Sequence, residues 1–416
     1  MKLSKYNIYI NKNNYIKIIN TKSDAIVNIK DKELLSKLFC LPNNLKDCKN
    51  TNLETLNTLG IIIDHCSDEV CKDPTSDTLT VTLIVTQQCN FRCSYCYEKF
   101  KNLKLSDNSY RSIFTFIKKQ MESNEFKNVR INLFGGEPLL VYNDIISFLE
   151  SLNAYLKTKK INFSIGMTTN GYLLDIEKYK TLVDLGLTDV QVTLDGFSKT
   201  HNKTRHLANR EGTWNVIIQN LKKISQYPKH SKIILRTNFN SEVIESEKKF
   251  LIFCKDYFEN QFIMHFEAIK PFNKNYKGEC YDQEKEHENI IKLIQFCKHN
   301  QINHIFKDVL SRGFYACPQC SKNSYVFDPE LNLMKCTVLF DFDKNQIGRL
   351  NSDGKLIINN NINLWNGYTE SCKECNVYPV CLGRKCLGGA LKNKKPKCSY
   401  DVIVKSIKDI VCASYD

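Results

Sequence analysis

The sequence predicts an α/β protein built on six strand–helix units that form a parallel sheet, flat or curved. A small separate module precedes this core, and a loop-rich region dense in cysteine follows it. Three observations carry the prediction. Between residues 77 and 300 the apolar pattern alternates between the strand period of two and the helical period of about 3.6. Residues 1–76 show short strand-like runs, then two helical patterns, and end in the polar segment Asp64 to Asp77, which contains Pro74. Over residues 301–416 the alternation stops, and eight cysteines fall between Cys317 and Cys398.

In the first module, strands are expected at Tyr6 to Ile10, Tyr15 to Asn20 and Ala25 to Ile29. Helical patterns follow at Asp31 to Phe39 and Asn52 to Leu59, the second stopped by Gly60 before the apolar run Ile61 to Ile63. In the core, strands are expected at Leu79 to Val85, Val129 to Phe134, Asn162 to Met167, Asp189 to Leu194, Lys232 to Thr237 and Phe262 to Glu267. Amphipathic helices fill the gaps: Asp107 to Met121, Tyr142 to Leu156, Asp175 to Leu185, Gly212 to Ile224, Glu242 to Tyr257 and Glu284 to His299. Such sheets place active residues at the C-terminal ends of their strands. The tail Tyr400 to Val411 reads as a helix.

Composition narrows the class. With 416 residues, 42% hydrophobic and 25% charged, and only 16 Gly and 9 Pro, the chain is neither collagen-like nor a disordered or low-complexity scaffold. It can bury a full core without disulfides. The net charge of +14 is spread along the length and favours an acidic partner, an anionic peptide or nucleic acid. There are 19 cysteines, an odd number, no secretory signal pattern and no apolar run long enough to span a membrane. That combination points to a cytosolic, metal-binding protein rather than a disulfide framework.

Directly after the first core strand the sequence reads Thr86-Gln-Gln-Cys89-Asn-Phe-Arg-Cys93-Ser-Tyr-Cys96-Tyr97. Three thiolates at these spacings can wrap one face of an iron–sulfur cube and leave its fourth iron open. Structural zinc prefers four ligands, and no fourth Cys or His is near in sequence. The pattern Cys89-x3-Cys93-x2-Cys96, with an aromatic before its last cysteine, resembles the signature of the radical S-adenosylmethionine (SAM) enzymes. The resemblance implies a partial (β/α)6 radical SAM barrel, with a [4Fe-4S] cluster whose open iron chelates the amino and carboxylate groups of SAM. Reductive cleavage of SAM then releases a 5′-deoxyadenosyl radical.

Further residues match that family in order along the strands. Gly135-Gly136-Glu137-Pro138 ends the second strand, where the family receives the methionyl ammonium. Asn170 ends the third, Thr193 the fourth and Arg236 the fifth, while His201 to Arg205 resembles the segment whose Arg meets the SAM carboxylate. The resemblance thus implies cofactor contacts by Tyr95, Gly135, Gly136, Glu137, Asn170, Thr193, Arg205 and Arg236. No general base is legible; Glu267, Asp328 and Asp341 are candidates by position.

The eight later cysteines read Cys317-x2-Cys320, Cys336, Cys372-x2-Cys375-x5-Cys381-x4-Cys386 and Cys398. They suffice for two four-Cys clusters or two zinc ribbons. Beside the upstream motif, the region resembles the SPASM extension, which carries two auxiliary [4Fe-4S] clusters and brings the expected total to three. The resemblance implies Cys317, Cys320, Cys336 and Cys386 for the nearer cluster, and Cys372, Cys375, Cys381 and Cys398 for the farther one. One departure is that four residues separate Cys381 from Cys386 where family members usually have three. The remaining cysteines read as small buried or idle thiols, with the Cys66/Cys71 pair the one to watch.

The first 76 residues look like a RiPP recognition element, a winged-helix-like domain that adds the leader of a ribosomal precursor peptide to a sheet edge. These resemblances together imply a cytoplasmic peptide maturase that forms a thioether from a peptide Cys to carbon, reduced by a flavodoxin- or ferredoxin-type donor. Carbon–carbon cross-linking and epimerisation remain open as the bond made, and two alternative functions stand beside it. One is an anaerobic sulfatase-maturase-like enzyme forming formylglycine. That family usually has an Asp directly after the equivalent of Cys336, where this chain has Thr337. The other is a radical SAM RNA modifier, for which the chain shows charge but no aromatic-plus-basic RNA motif.

Overall fold

The computed structural model describes residues 1–40, 51–64, 71, 77–229, 231–240, 244–270, 283–340, 342–360, 369–384 and 398–415. They fall into two compact units, Met1–Ser76 with Asp308–Ser321 and Leu364–Asp416, and Asp77–Lys307 with Lys322–Asn363. The region 301–416, expected as one domain, divides between the two.

The first unit opens with β1 (Lys2–Leu3), β2 (Asn7–Lys12), β3 (Tyr15–Asn20) and β4 (Ile26–Ile29), followed by α1 (Lys32–Cys40), α2 (Thr51–Thr58) and β5 (Ile62–Ile63). Strands β2, β3 and β4 form an antiparallel sheet in that order, and β1 pairs with β5. Ile18 and Ile29 from the sheet bury against Leu34 and Leu38 of α1 and Leu53 and Leu56 of α2. Each fully buried aliphatic side chain contributes about 1.5–3 kcal/mol. This is the arrangement expected from the sequence periods, with boundaries shifted by one or two residues.

The second unit is built on one ten-stranded sheet. Its six expected strands are β6 (Thr78–Thr86), β7 (Asn128–Gly135), β8 (Asn162–Thr169), β9 (Leu187–Thr193), β10 (Lys232–Phe239) and β11 (Ile263–Ala268). All neighbours among them are parallel and in chain order. Unbroken chain order β6 to β11, with helices in the crossovers, is a barrel-type winding rather than a doubly wound one. Those helices are α3 (Asp107–Ser123), α4 (Tyr142–Thr158), α5 (Ile176–Leu185), α6 (Ser198–Thr204), α7 (Trp214–Ser225), α8 (Ile244–Tyr257) and α9 (Gln283–His299). Ser106 caps α3 by accepting the Ser109 N–H at 3.1 Å, and Ile113, Phe116 and Ile117 form its buried stripe. In β10 and β11 fully buried positions alternate with half-buried ones, the latter including Arg236, Asn238, His265 and Glu267.

The C-terminal region differs from its loop-rich expectation. Residues 324–358 form β12 (Ser324–Phe327), β13 (Asn332–Met334), β14 (Gln346–Leu350) and β15 (Leu356–Ile358). Strand β12 pairs parallel to β6, and the other three continue antiparallel from it. These strands are too short for their periodicity to stand out in sequence; pairing onto an existing edge stabilises them.

The first unit is completed by α10 (Tyr378–Cys381) and α11 (Tyr400–Tyr415). Asn376 joins this part to the N-terminal strands: its carbonyl accepts the Thr21 hydroxyl, and its Nδ2 donates to the Asn7 carbonyl at 3.2 Å. Among the described residues no helix is long and apolar enough to cross a membrane.

Candidate active site

The loop after β6 carries Cys89, Cys93 and Cys96, and its path is set by neighbours distant in sequence. Segment 204–208 zips onto it: Arg92 and Ser94 donate backbone N–H groups to the His206 and Thr204 carbonyls at 2.8 and 2.9 Å. On the other side, Gly136 and Glu137 donate to the Thr86 and Gln88 carbonyls at 3.0 and 2.9 Å. A Cβ at Gly135 would stand 2.2 Å from the Thr86 oxygen, and one at Gly136 2.2 Å from the Gln88 oxygen. Only glycine permits that approach.

The three cysteines line a cavity of about 440 Å³. Volumes of roughly 300–1,000 Å³ suit a whole cofactor or small ligand. Tyr95, Gly135, Gly136, Asn170, Thr193, Arg205, Arg236 and Glu267 line it too, so the structure brings together nearly all the residues expected there. Thr337 and Val338, after Cys336, also line it.

Glu137 is the exception. Its side chain is fully buried and does not line the cavity. Oε1 accepts the Leu139 N–H at 3.0 Å and the Thr169 hydroxyl at 2.7 Å, and Oε2 accepts the Asn170 N–H at 2.7 Å. The expected complement to a cation is therefore a clamp between the ends of β7 and β8. Asn170, so held, donates Nδ2 to Asn90 Oδ1 at 2.8 Å in the cysteine loop.

Asp195 was not singled out by the sequence as a site residue. It accepts the Tyr95 hydroxyl at Oδ2, and at Oδ1 the Asn238 N–H and Nδ2 at 2.9 and 3.1 Å. Arg205 donates Nη1 to the same Tyr95 oxygen at 2.8 Å. Its Nε is buried and has no hydrogen-bond partner among the described residues, so the guanidinium retains a donor for an anion. A carboxylate after a Thr-Leu at a strand end was the available signal.

The candidate bases separate. Burial would raise the Glu267 carboxyl, but a hydrogen bond from His265 and the charges of Lys270 and Arg236 bring it down to about 2. It is an ionised anchor, ion-paired to Lys270 at 2.9 Å, and a poor proton acceptor near neutrality. Asp328 lies outside this cavity, and Asp341 lies outside the described residues.

Burial pushes the Cys89 and Cys96 thiols up to about 12, and raises Cys93 against the opposing charge of Arg205. Such thiols become thiolates only when a cationic centre takes them as ligands. Among the described residues no three Cys, His, Asp or Glu groups converge at single-ion spacing. An iron–sulfur cube presents its irons at separate corners and asks its thiolates to stand further apart. The three-thiol loop, the cavity beside it and the buried Arg205 donor fit a cluster with SAM.

In the first unit Cys372, Cys375, Cys381 and Cys398 are close enough to act on one another. Burial raises the Cys375 and Cys381 thiols, and the neighbouring thiols of the set raise them further. Cys372 Sγ accepts the Thr369 N–H at 3.5 Å. Cys317 and Cys320 also belong to this unit and Cys336 to the second, while Cys386 lies outside the described residues. Cys66 is likewise outside them, and Cys71 is buried.

Residues 83–249, which span most of the singly wound parallel sheet and the three-cysteine loop at the end of its first strand, match the Radical SAM superfamily. Over 351 residues the chain is 24% identical to a cysteine-type anaerobic sulfatase-maturating enzyme of Clostridium novyi (strain NT), covering 75% of this chain and 87% of the relative. A GTP 3′,8-cyclase of Campylobacter fetus subsp. fetus (strain 82-40) is 39% identical over 136 residues, which spans 32% of this chain and 39% of the cyclase. The fold is similar to native anSMEcpe with bound AdoMet and Cp18Cys peptide, with TM-score 0.63 and 18% identity over 81% of this chain and 97% of that one. Streptococcus suis SuiB bound to precursor peptide SuiA gives TM-score 0.51 and 15% identity over 97% of this chain and 99% of SuiB.

Proposed function

We propose that this protein is a radical SAM enzyme that matures a ribosomally made precursor peptide, holding its leader on the N-terminal module and forming a thioether from a peptide Cys to carbon. The observation that carries this reading is coverage. The likeness to SuiB bound to its precursor peptide extends over 97% of the chain, which necessarily includes most of residues 1–76. The likeness to anSMEcpe stops at 81%. A three-stranded antiparallel sheet has edges to which a leader can add as a further strand.

In this reading Cys89, Cys93 and Cys96 hold a [4Fe-4S] cluster with one iron left for SAM. Reduced by a flavodoxin- or ferredoxin-type donor, such a cluster would supply reductive cleavage of SAM. Arg205 offers its buried Nε to the SAM carboxylate, and Gly135 and Gly136 line the cavity beside it. Tyr95, Asn170, Thr193 and Arg236 complete the cavity wall. The Cys372, Cys375, Cys381 and Cys398 set holds an auxiliary cluster that relays electrons; a third cluster on Cys317, Cys320, Cys336 and Cys386 rests on the SPASM resemblance.

The sulfatase-maturase reading is favoured by the Clostridium novyi relative. Against it, Thr337 lines the cavity where that family usually carries an Asp next to the equivalent of Cys336. The test is mass spectrometry of a small Cys-containing peptide encoded beside this gene, co-expressed anaerobically with the enzyme. Loss of two hydrogens together with one alkylatable thiol supports the thioether. Loss of two hydrogens with a hydrazine-reactive aldehyde supports the second reading. Unchanged peptide mass, with SAM still cleaved, removes the thioether reading.

A further inference from the structure

Next to the SAM cavity, the second unit holds another cavity of about 260 Å³. That is below the roughly 300–1,000 Å³ of whole-ligand pockets and suits one side chain. The cavities share Glu98 as a lining residue, and Phe340 of the second stacks on Tyr97 of the first, with rings 6.4 Å apart and 15° from parallel. A chain whose reacting residue occupies the larger space can therefore place a neighbouring side chain in the smaller.

The lining names the chemistry of that side chain. Met334, Phe340 and Phe342 supply apolar and aromatic walls. The carboxylates of Glu98 and Asp328 and the side-chain oxygen of Gln87 are hydrogen-bond acceptors within it. Gln87 Oε1 is buried with no partner among the described residues. Asp328 is 6% exposed; Oδ1 accepts the Glu330 and Asn332 N–H groups and Oδ2 the Asn332 Nδ2, all between 2.8 and 2.9 Å. Burial raises its carboxyl, hydrogen bonds from Asn332 and Glu330 oppose the rise, and the charge of Glu330 adds to it. The charges at the exposed rim balance: Lys99 and Lys101 stand with Glu330 and Asp343. Aromatic walls over buried acceptors suit an aliphatic stem ending in a cation.

We infer that this cavity binds a basic side chain, arginine or lysine, of the chain's substrate next to the residue being modified. That the substrate is a peptide rests on the function proposed above. Asp328 is then a specificity residue, which accounts for its position better than a role as general base.

The test uses the SAM-bound holoenzyme and two probes, Nα-acetyl-arginine methylamide and its glutamate counterpart, titrated by saturation-transfer NMR. The arginine probe is expected to bind, and the glutamate probe not. Asp328→Asn should weaken the arginine probe about ten-fold or more, the scale of one charge-assisted hydrogen bond. Phe342→Ala, which leaves the Asp328 turn intact, should weaken it as well, with SAM cleavage unchanged in both variants. Equal binding of the two probes, no binding of the arginine probe, or full affinity in both variants overturns the inference. Peptide modification measured in parallel separates the two readings. A peptide modified without probe binding defeats this inference alone; probe binding with no peptide modified defeats the peptide reading and leaves the basic-side-chain site standing.

Discussion

The Glu137 carboxylate accepts the backbone N–H of Asn170 at 2.7 Å, locking the end of one barrel strand to the end of the next from beneath the cavity floor. Replacing Glu137 by Ala leaves three buried donors without an acceptor: Leu139 N, Thr169 Oγ1 and Asn170 N. At about 1–3 kcal/mol each, the expected loss is about 3 kcal/mol or more in urea unfolding of the apo chain. Glu137→Gln should cost less, because one oxygen remains. Equal stability of all three proteins would defeat the clamp.

Gly136→Ala would force a Cβ to within 2.2 Å of the Gln88 carbonyl and 3.1 Å of Cys89 Cβ. The cysteine loop must shift. A displacement near 1 Å costs about 10²-fold where reacting groups are aligned. SAM cleavage by the reconstituted variant should fall on that scale, accompanied by lower iron content. Unchanged cleavage would mean the turn and the loop are not coupled.

Asp195 holds Tyr95 and Asn238, and Tyr95 in turn accepts from Arg205. Asp195→Ala should free the guanidinium and raise the dissociation constant for SAM about ten-fold, the scale of a hydrogen bond between charged groups. Thermal unfolding should move little by comparison. A variant with wild-type SAM affinity would show that Arg205 needs no such support.

His304 titrates with a predictable sign. It is buried, and burial, with Lys307 adding to it, lowers the imidazole to about 4 from 6.5. Between those values the unfolded chain binds the proton and the folded chain does not. Stability from this residue is therefore complete above 6.5 and drains away as pH falls toward about 4. Urea midpoints across that window should slope less in His304→Asn than in the parent, and parallel slopes would contradict the assignment.

Thr21 and Asn7 both hold Asn376, the residue directly after Cys375. With the auxiliary cluster proposed above on the C-terminal cysteines, removing residues 1–76 should thus lower the iron bound there, while SAM cleavage through Cys89, Cys93 and Cys96 is retained. Asn376→Ala should lower that iron in the same direction with the N-terminal strands intact. Unchanged iron in both would separate the module from the C-terminal cysteines.

The periodicity of Leu79 to Glu267 and the spacing of Cys89, Cys93 and Cys96 already specify six parallel units and a loop whose three thiols suit an open-cornered cluster, because both are local properties of the chain. Strand ends follow from that order, and the resemblance to the radical SAM family is what singles out Gly135, Asn170, Thr193 and Arg236 among the residues there. Tertiary structure alone decided the rest. It turned Glu137 inward to buried donors, joined Asp195 to Tyr95 across a hundred residues of chain, and laid residues 324–327 beside the first barrel strand. It also held Glu267 ionised among His265, Lys270 and Arg236. A residue's type and spacing state which bonds it is able to make; its burial and its distant neighbours determine which of them it does make, and neither is written in the local pattern.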